Sequence, residues 1–189
     1  MDTDIIRGIF DKSKSTKSLI GIWTYTDGDG FWSGYVTDYN DEFVQIHHFT
    51  KYGKSDGTII ERIENIESID FEDDYAKCLK YLIDNTLELD KEDELSQTLP
   101  SGESWQFDYL NHHTGKTDRI VRITVKEDIT YSGFILKLDK ENVVLHLLGK
   151  LGEDEGFSMF KLNDISCVRV NDIENRKRLM LHNWKKASR

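Results

Sequence analysis

A shift of 99 residues lays Trp32–Leu82 over Tyr131–Leu181 without a gap, and this self-similarity constrains the fold of the 189-residue chain more than any other feature. Ser33 and Gly34 fall on Ser132 and Gly133, Glu42 on Glu141, Val44 on Val143, and His47 on His146. Further along, Lys51 meets Lys150, Gly53 and Gly57 meet Gly152 and Gly156, Ile66 meets Ile165, and Asp73 meets Asp172. Apolar character agrees where identity does not, as at Tyr35/Phe134, Val36/Ile135, Ile46/Leu145, Ile63/Leu162 and Ile69/Val168. Upstream, Leu19–Ile22 answers Ile120–Ile123 after a two-residue length difference. That difference falls in Thr26–Gly30, TDGDG, where Asp-Gly pairs suit a tight hairpin.

Whatever one copy folds into, the other should fold into as well. Each reads as a short helix followed by five strands. In the first copy the helix is expected near 4–12 and the strands near 18–26, 30–38, 42–50, 57–63 and 67–71. The second copy gives 104–112, then 118–126, 129–138, 142–149, 156–162 and 166–170. Between the last two strands, IENIESI and LNDISCV leave space only for a turn of 3-10 helix. A closing helix follows, with Tyr75, Cys78, Leu79, Leu82 and Ile83 on one side in the first copy. Its counterpart after Asp172 keeps Ile173, Met180 and Trp184 together and is strongly basic. The expected domains are 1–86 and 104–189, joined by an acidic linker over 87–103 that carries the sole proline, Pro100.

Charge is unevenly divided. Residues 1–99 hold 10 Lys+Arg against 22 Asp+Glu, and residues 100–189 hold 15 against 13, which together give the net charge of −10. Such an acidic chain repels a polyphosphate backbone unless positive charge gathers locally, and Arg176–Arg189 is the one stretch where it does, with six basic residues and no acidic one. The N-terminal MDTDIIRGIFDKSKS lacks the apolar core of a secretory signal, and no run of about 18 apolar residues suggests a membrane span, so a cytoplasmic protein is expected. Cys78 and Cys167 each sit in an apolar pattern and read as free thiols.

Helix, five strands, a glycine in the second strand (Gly34, Gly133) and an apolar third strand resemble the small five-stranded barrels of the Sm-like and SH3-like superfold, the WYL domain being a variant. The resemblance covers nearly the whole chain twice. It implies a mainly β protein with short helices, two tandem Sm/SH3-like barrels from an internal duplication. In Sm proteins an Asp and an Asn in the turn after the second strand help form an RNA-base pocket. Asp139 and Asn142 are the residues that match here, one residue closer together than in the family, while LNDI at 162–165 replaces the family's basic-Gly turn. The first copy has Asn40 and Phe43 in those places.

Signatures for phosphate loops, zinc proteases, nucleophile elbows and paired cysteines are absent, and no nucleophile is paired with a base, so no enzymatic activity is expected. TDGDG lacks the further acidic ligands of a calcium loop, and no cofactor or metal is implied. Adjacent residues on a strand face opposite ways, so His47 and His48 do not chelate one ion together. The aromatics Trp23, Tyr25, Phe31 and Trp32 suit core packing better than a base-stacking platform. The expectation that results is a non-enzymatic interaction module. Its candidate ligand-binding residues are Asp139, Asn142, Arg176, Lys177 and Arg178, poised for an anionic partner, RNA or an acidic protein. Two alternatives stay open: an acidic inhibitor or immunity-type protein that blocks a basic enzyme, and a small-molecule-sensing barrel. Open strand edges also allow a homodimer or pairing between the two barrels within one chain.

Overall fold

The computed structural model describes residues 3–25, 30–91, 102 and 104–188. Apart from Gly30, the hairpin expected at Thr26–Gly30 lies outside them, as do Pro100 and most of the acidic stretch around it. Two compact units form, residues 1–86 and 87–189.

In the first unit α1 (Thr3–Thr16) precedes β1 (Ile20–Thr24), β2 (Phe31–Tyr39), β3 (Phe43–Phe49), β4 (Ser55–Arg62) and β5 (Ile66–Phe71), and α2 (Asp74–Asp84) follows. In the second unit a helical turn, α3 (Thr86–Leu89), begins in the last residue of the first unit and leads to α4 (Trp105–Asn111). Next come β6 (Val121–Thr124), β7 (Thr130–Leu138), β8 (Asn142–Leu148), β9 (Asp154–Lys161) and β10 (Cys167–Val170), then α5 (Ile173–Ala187). A 3-10 turn precedes the last strand of each sheet, at Ile63–Asn65 and Leu162–Asp164.

Each unit carries one antiparallel five-stranded sheet, ordered β4-β3-β2-β1-β5 in the first and β9-β8-β7-β6-β10 in the second. The bulges repeat as well: register slips at Val36/Asp38 and His47/Phe49 recur at Ile135/Lys137 and His146/Leu148. A bulge bends its strand, so the sheets curve around their cores. The main-chain groups at the first bulge are taken up by the preceding segment. Ser13 Oγ accepts from Val36 N (3.0 Å) in the first unit, and Gly115 N donates to Ile135 O (3.1 Å) in the second. This engagement is one reason α1 runs a turn beyond the predicted 4–12, since Ser13, polar and read as loop, is fully buried there.

The sheets are open, which corrects the expectation of closed barrels. β4 and β5 end the first sheet, and β9 and β10 end the second, and among the described residues no ladder joins them. A helix completes each core instead. Ile6 and Phe10 of α1 pack among Ile20, Ile22, Val36, Val44, Ile46 and Ile66. Leu110 of α4 does the same among Val121, Ile123, Ile135, Val143, Leu145 and Ile165.

On the opposite face α2 brings Leu79 against Leu19 and Phe49. Gly53, in the β3–β4 turn, allows this approach: a Cβ there would stand 2.6 Å from the backbone of Leu82 and Ile83, and its φ is +75°. Gly152 meets the backbone of Leu181 and His182 in the same way, with the same φ. The expected linker also differs at its start, because Leu89 is 1% exposed and its carbonyl accepts from Arg176 Nε (2.9 Å), so residues 87–89 belong to the second unit's packing. Among the described residues no helix is long and apolar enough to cross a membrane.

Candidate functional site

At one end of each sheet two turns are tied together. Ile63 N donates to Glu42 O (2.9 Å) in the first unit, and Leu162 N to Glu141 O (2.8 Å) in the second. The turn after the second strand is built alike in both. Asn40 Oδ1 accepts from the N–H groups of Glu42 and Phe43, at 2.9 and 2.8 Å. Asp139 Oδ1 accepts from Glu141 and Asn142, at 2.8 and 2.7 Å. These N–H groups, Glu141's first, hold the Asp139 carboxyl below its usual range. Asn142 Nδ2 also leans on the same oxygen at 3.4 Å, so Asp139 and Asn142 are brought together chiefly as the frame of a turn.

In the first unit this end opens into a groove of about 650 Å³. Ile6, Ile63 and Ile66 line it with apolar surface, Tyr25 stands beside it 69% exposed, and Asp41, Glu42 and Glu64 add carboxylates. Its two arginines are both engaged by carboxylates: Arg7 with Asp41 at 2.5 Å and Arg62 with Glu64 at 3.2 Å. Arg62 also lies over the Phe43 ring at 5.1 Å. Three carboxylates against two guanidinium groups leave the groove with an excess negative charge, in a unit that holds 17 Asp+Glu against 9 Lys+Arg over residues 1–86. An apolar lining beside an excess of carboxylate over guanidinium suits a Lys or Arg side chain, whose methylene stem and charged head need different surroundings. Glu42, Glu64 and Tyr25 carry no motif, and their convergence appears only when the two turns meet.

Arg176, Lys177 and Arg178 of the basic run sit elsewhere and are engaged within their own unit. Arg176 donates to Leu89 O (2.9 Å) and to Asn171 O (2.5 Å), and Arg178 to Leu148 O (2.7 Å). Lys177 is buried, its Nζ 3.2 Å from Glu174 Oε2. Leu148 and Asn142 are the two ends of β8, six residue steps or roughly 20 Å apart along an extended strand. The five candidate residues therefore divide between a turn at one end of β8 and a helix fastened at the other.

The repeat-equivalent histidines are structural neighbours of the next strand. His47 Nε2 lies 3.0 Å from Ser55 Oγ, and His146 Nε2 lies 3.0 Å from Asp154 Oδ1, the position equivalent to Ser55. Gly156 N–H first, and His146 after it, keep the Asp154 carboxyl below its usual range. His48 turns the other way, with Nδ1 2.8 Å from Ser33 O. Three of the aromatics pack: Trp23 stacks on Phe31 (4.6 Å), Phe31 meets Tyr75 edge-on (5.1 Å), and Trp32 meets His48 (5.6 Å). Comparisons of the chain with protein-family models, curated proteins and solved structures found no match.

Proposed function

We propose that the chain is a non-enzymatic interaction module whose acidic first unit receives a basic segment of another protein. Each unit is, on this reading, an opened Sm/SH3-like barrel, a view supported by the shared strand order and the helix that completes each core. The observation that carries the function is the groove between the two turns, where Asp41, Glu42 and Glu64 stand over Ile6, Ile63 and Ile66 while both local arginines are already paired.

This surface fits the inhibitor-like alternative better than recognition of an anion. The cations that would meet RNA, Arg176, Lys177 and Arg178, are bonded to carbonyls and a carboxylate of their own unit. Carboxylate complementarity of this kind steers encounter and weakens steeply with salt. An arginine-rich peptide titrated into the full chain should bind at low ionic strength and weaken as salt is raised. The double variant Glu42→Lys/Glu64→Lys should lose about tenfold or more in affinity, since it reverses two of the three groove carboxylates. Equal affinity of variant and parent would remove the groove from the interaction.

A further inference from the structure

β9 ends its sheet, and its main chain has a definite outward side. Leu162 N donates to Glu141 O, and the register pairs Val143 with Phe160 and Leu145 with Ser158. Because antiparallel pairs alternate, residues 158, 160 and 162 exchange hydrogen bonds with the β8 side, while Phe157, Met159 and Lys161 turn their N–H and C=O groups toward the open edge. The same three residues carry the exposed side chains, Phe157 at 68% and Met159 at 65%. An edge with apolar side chains is a template for another strand, and the usual protection by a central charge is missing from Phe157–Phe160.

On the equivalent edge of the first unit one outward N–H, at the end of the strand, is taken up by a side chain. By the same alternation from Ile63, the outward residues of β4 are Thr58, Ile60 and Arg62, and the Arg62 N–H is occupied by Glu61 Oε1 at 2.8 Å. The charge pattern of β9 says what it suits. Its start carries Asp154 and Glu155 and its end carries Lys161, so the strand is complementary to itself when reversed.

We propose that β9 is a self-association edge, through which two copies of the chain pair their β9 strands antiparallel about a twofold axis at Ser158. In that register Phe157 of each copy stands opposite Met159 of the other, an aromatic–thioether contact, joined by the outward N–H and C=O groups of both. Lys161 then points toward the acidic start of the second copy's β9, where Asp154 and Glu155 lie beyond the bend at Gly156 (φ +79°), twice over by symmetry. The result is one sheet of ten strands with an isologous interface.

Sedimentation velocity of the full chain over a concentration series tests this. The parent should show a monomer–dimer equilibrium. Met159→Pro removes an N–H that the β8 ladder does not use, so it should give a folded monomer with unchanged circular dichroism, whereas Ile60→Pro on β4 should leave the dimer intact. Glu155→Lys and Lys161→Glu should each weaken the dimer a few-fold to about tenfold, and the double exchange should restore it. A parent that stays monomeric, a dimer indifferent to Met159→Pro, or a double exchange as weak as the single variants would overturn the proposal.

Discussion

Gly34 and Gly133 show at single-residue scale why the two copies must keep certain residues. A Cβ on Gly34 would fall 2.0 Å from His47 O, and one on Gly133 would fall 2.1 Å from His146 O, in each case against strand backbone that has no room to move. Gly34→Ala and Gly133→Ala should each cost about 3 kcal/mol or more in chemical denaturation, well beyond the ordinary penalty of a surface alanine. His113 carries a different prediction. Buried beside Tyr109, its imidazole is pushed down to about 4, first by burial and then by the charges of Lys116 and Arg119. The unfolded chain takes up that proton near pH 6.5, so the neutral folded form loses stability as pH falls from about 6.5 through 4, by up to about 3 kcal/mol. The depressed carboxyls Asp139 and Asp154 act in the same direction at lower pH, since their contribution is lost only as pH falls below the usual carboxylate values. Thermal unfolding of the second unit between pH 7 and 4.5 should therefore fall steeply in the parent and more gently in His113→Phe.

Among elements, the caps of α2 and α5 separate a shared role from an added one. Asp73 accepts from Ala76 N at 2.7 Å, and Asp172 accepts from Asn175 N at 2.9 Å. Asp172 also binds the guanidinium of Arg122 on β6, with both side chains largely shielded. Asp73→Ala should cost about 1 kcal/mol, and Asp172→Ala about twice that or more, because it leaves Arg122 without its carboxylate. The match of Asp73 with Asp172 and the strands were legible in the sequence, because hydrophobic alternation and a repeat at fixed spacing are local signals, whereas the capping bonds themselves were not. The role of Arg176–Arg178 was not. A run of basic residues looks the same whether solvent or the carbonyls of Leu89 and Leu148 await it, and those carbonyls are 87 and 30 residues away in the chain. Arg178→Glu should for that reason lower the melting temperature of the second unit. The opening of the sheets was hidden likewise, since the pattern fixes which residues form strands but not whether the last strand reaches the first or a helix takes that space.

Over the whole molecule, charge divides with the fold. Residues 1–86 hold 17 acidic and 9 basic residues, and residues 87–189 hold 18 and 16, so most of the net −10 belongs to the first unit. Two sheets of like strand order with unlike surfaces carry this arrangement: glycines, caps and bulges recur in both because the sheet requires them, while the turn ends differ in charge. The central claim, that the groove between Asn40–Phe43 and Arg62–Ile66 is the binding surface, is open to one direct measurement. Backbone amide shifts of the full chain should be followed while an arginine-rich peptide is added. The account predicts perturbations concentrated at Tyr25, Asp41–Phe43 and Arg62–Ile66, fading with added salt, and little change at Arg176–Arg178. Perturbations centred on Asp139–Asn142 or on α5, with the first-unit groove silent, would contradict it.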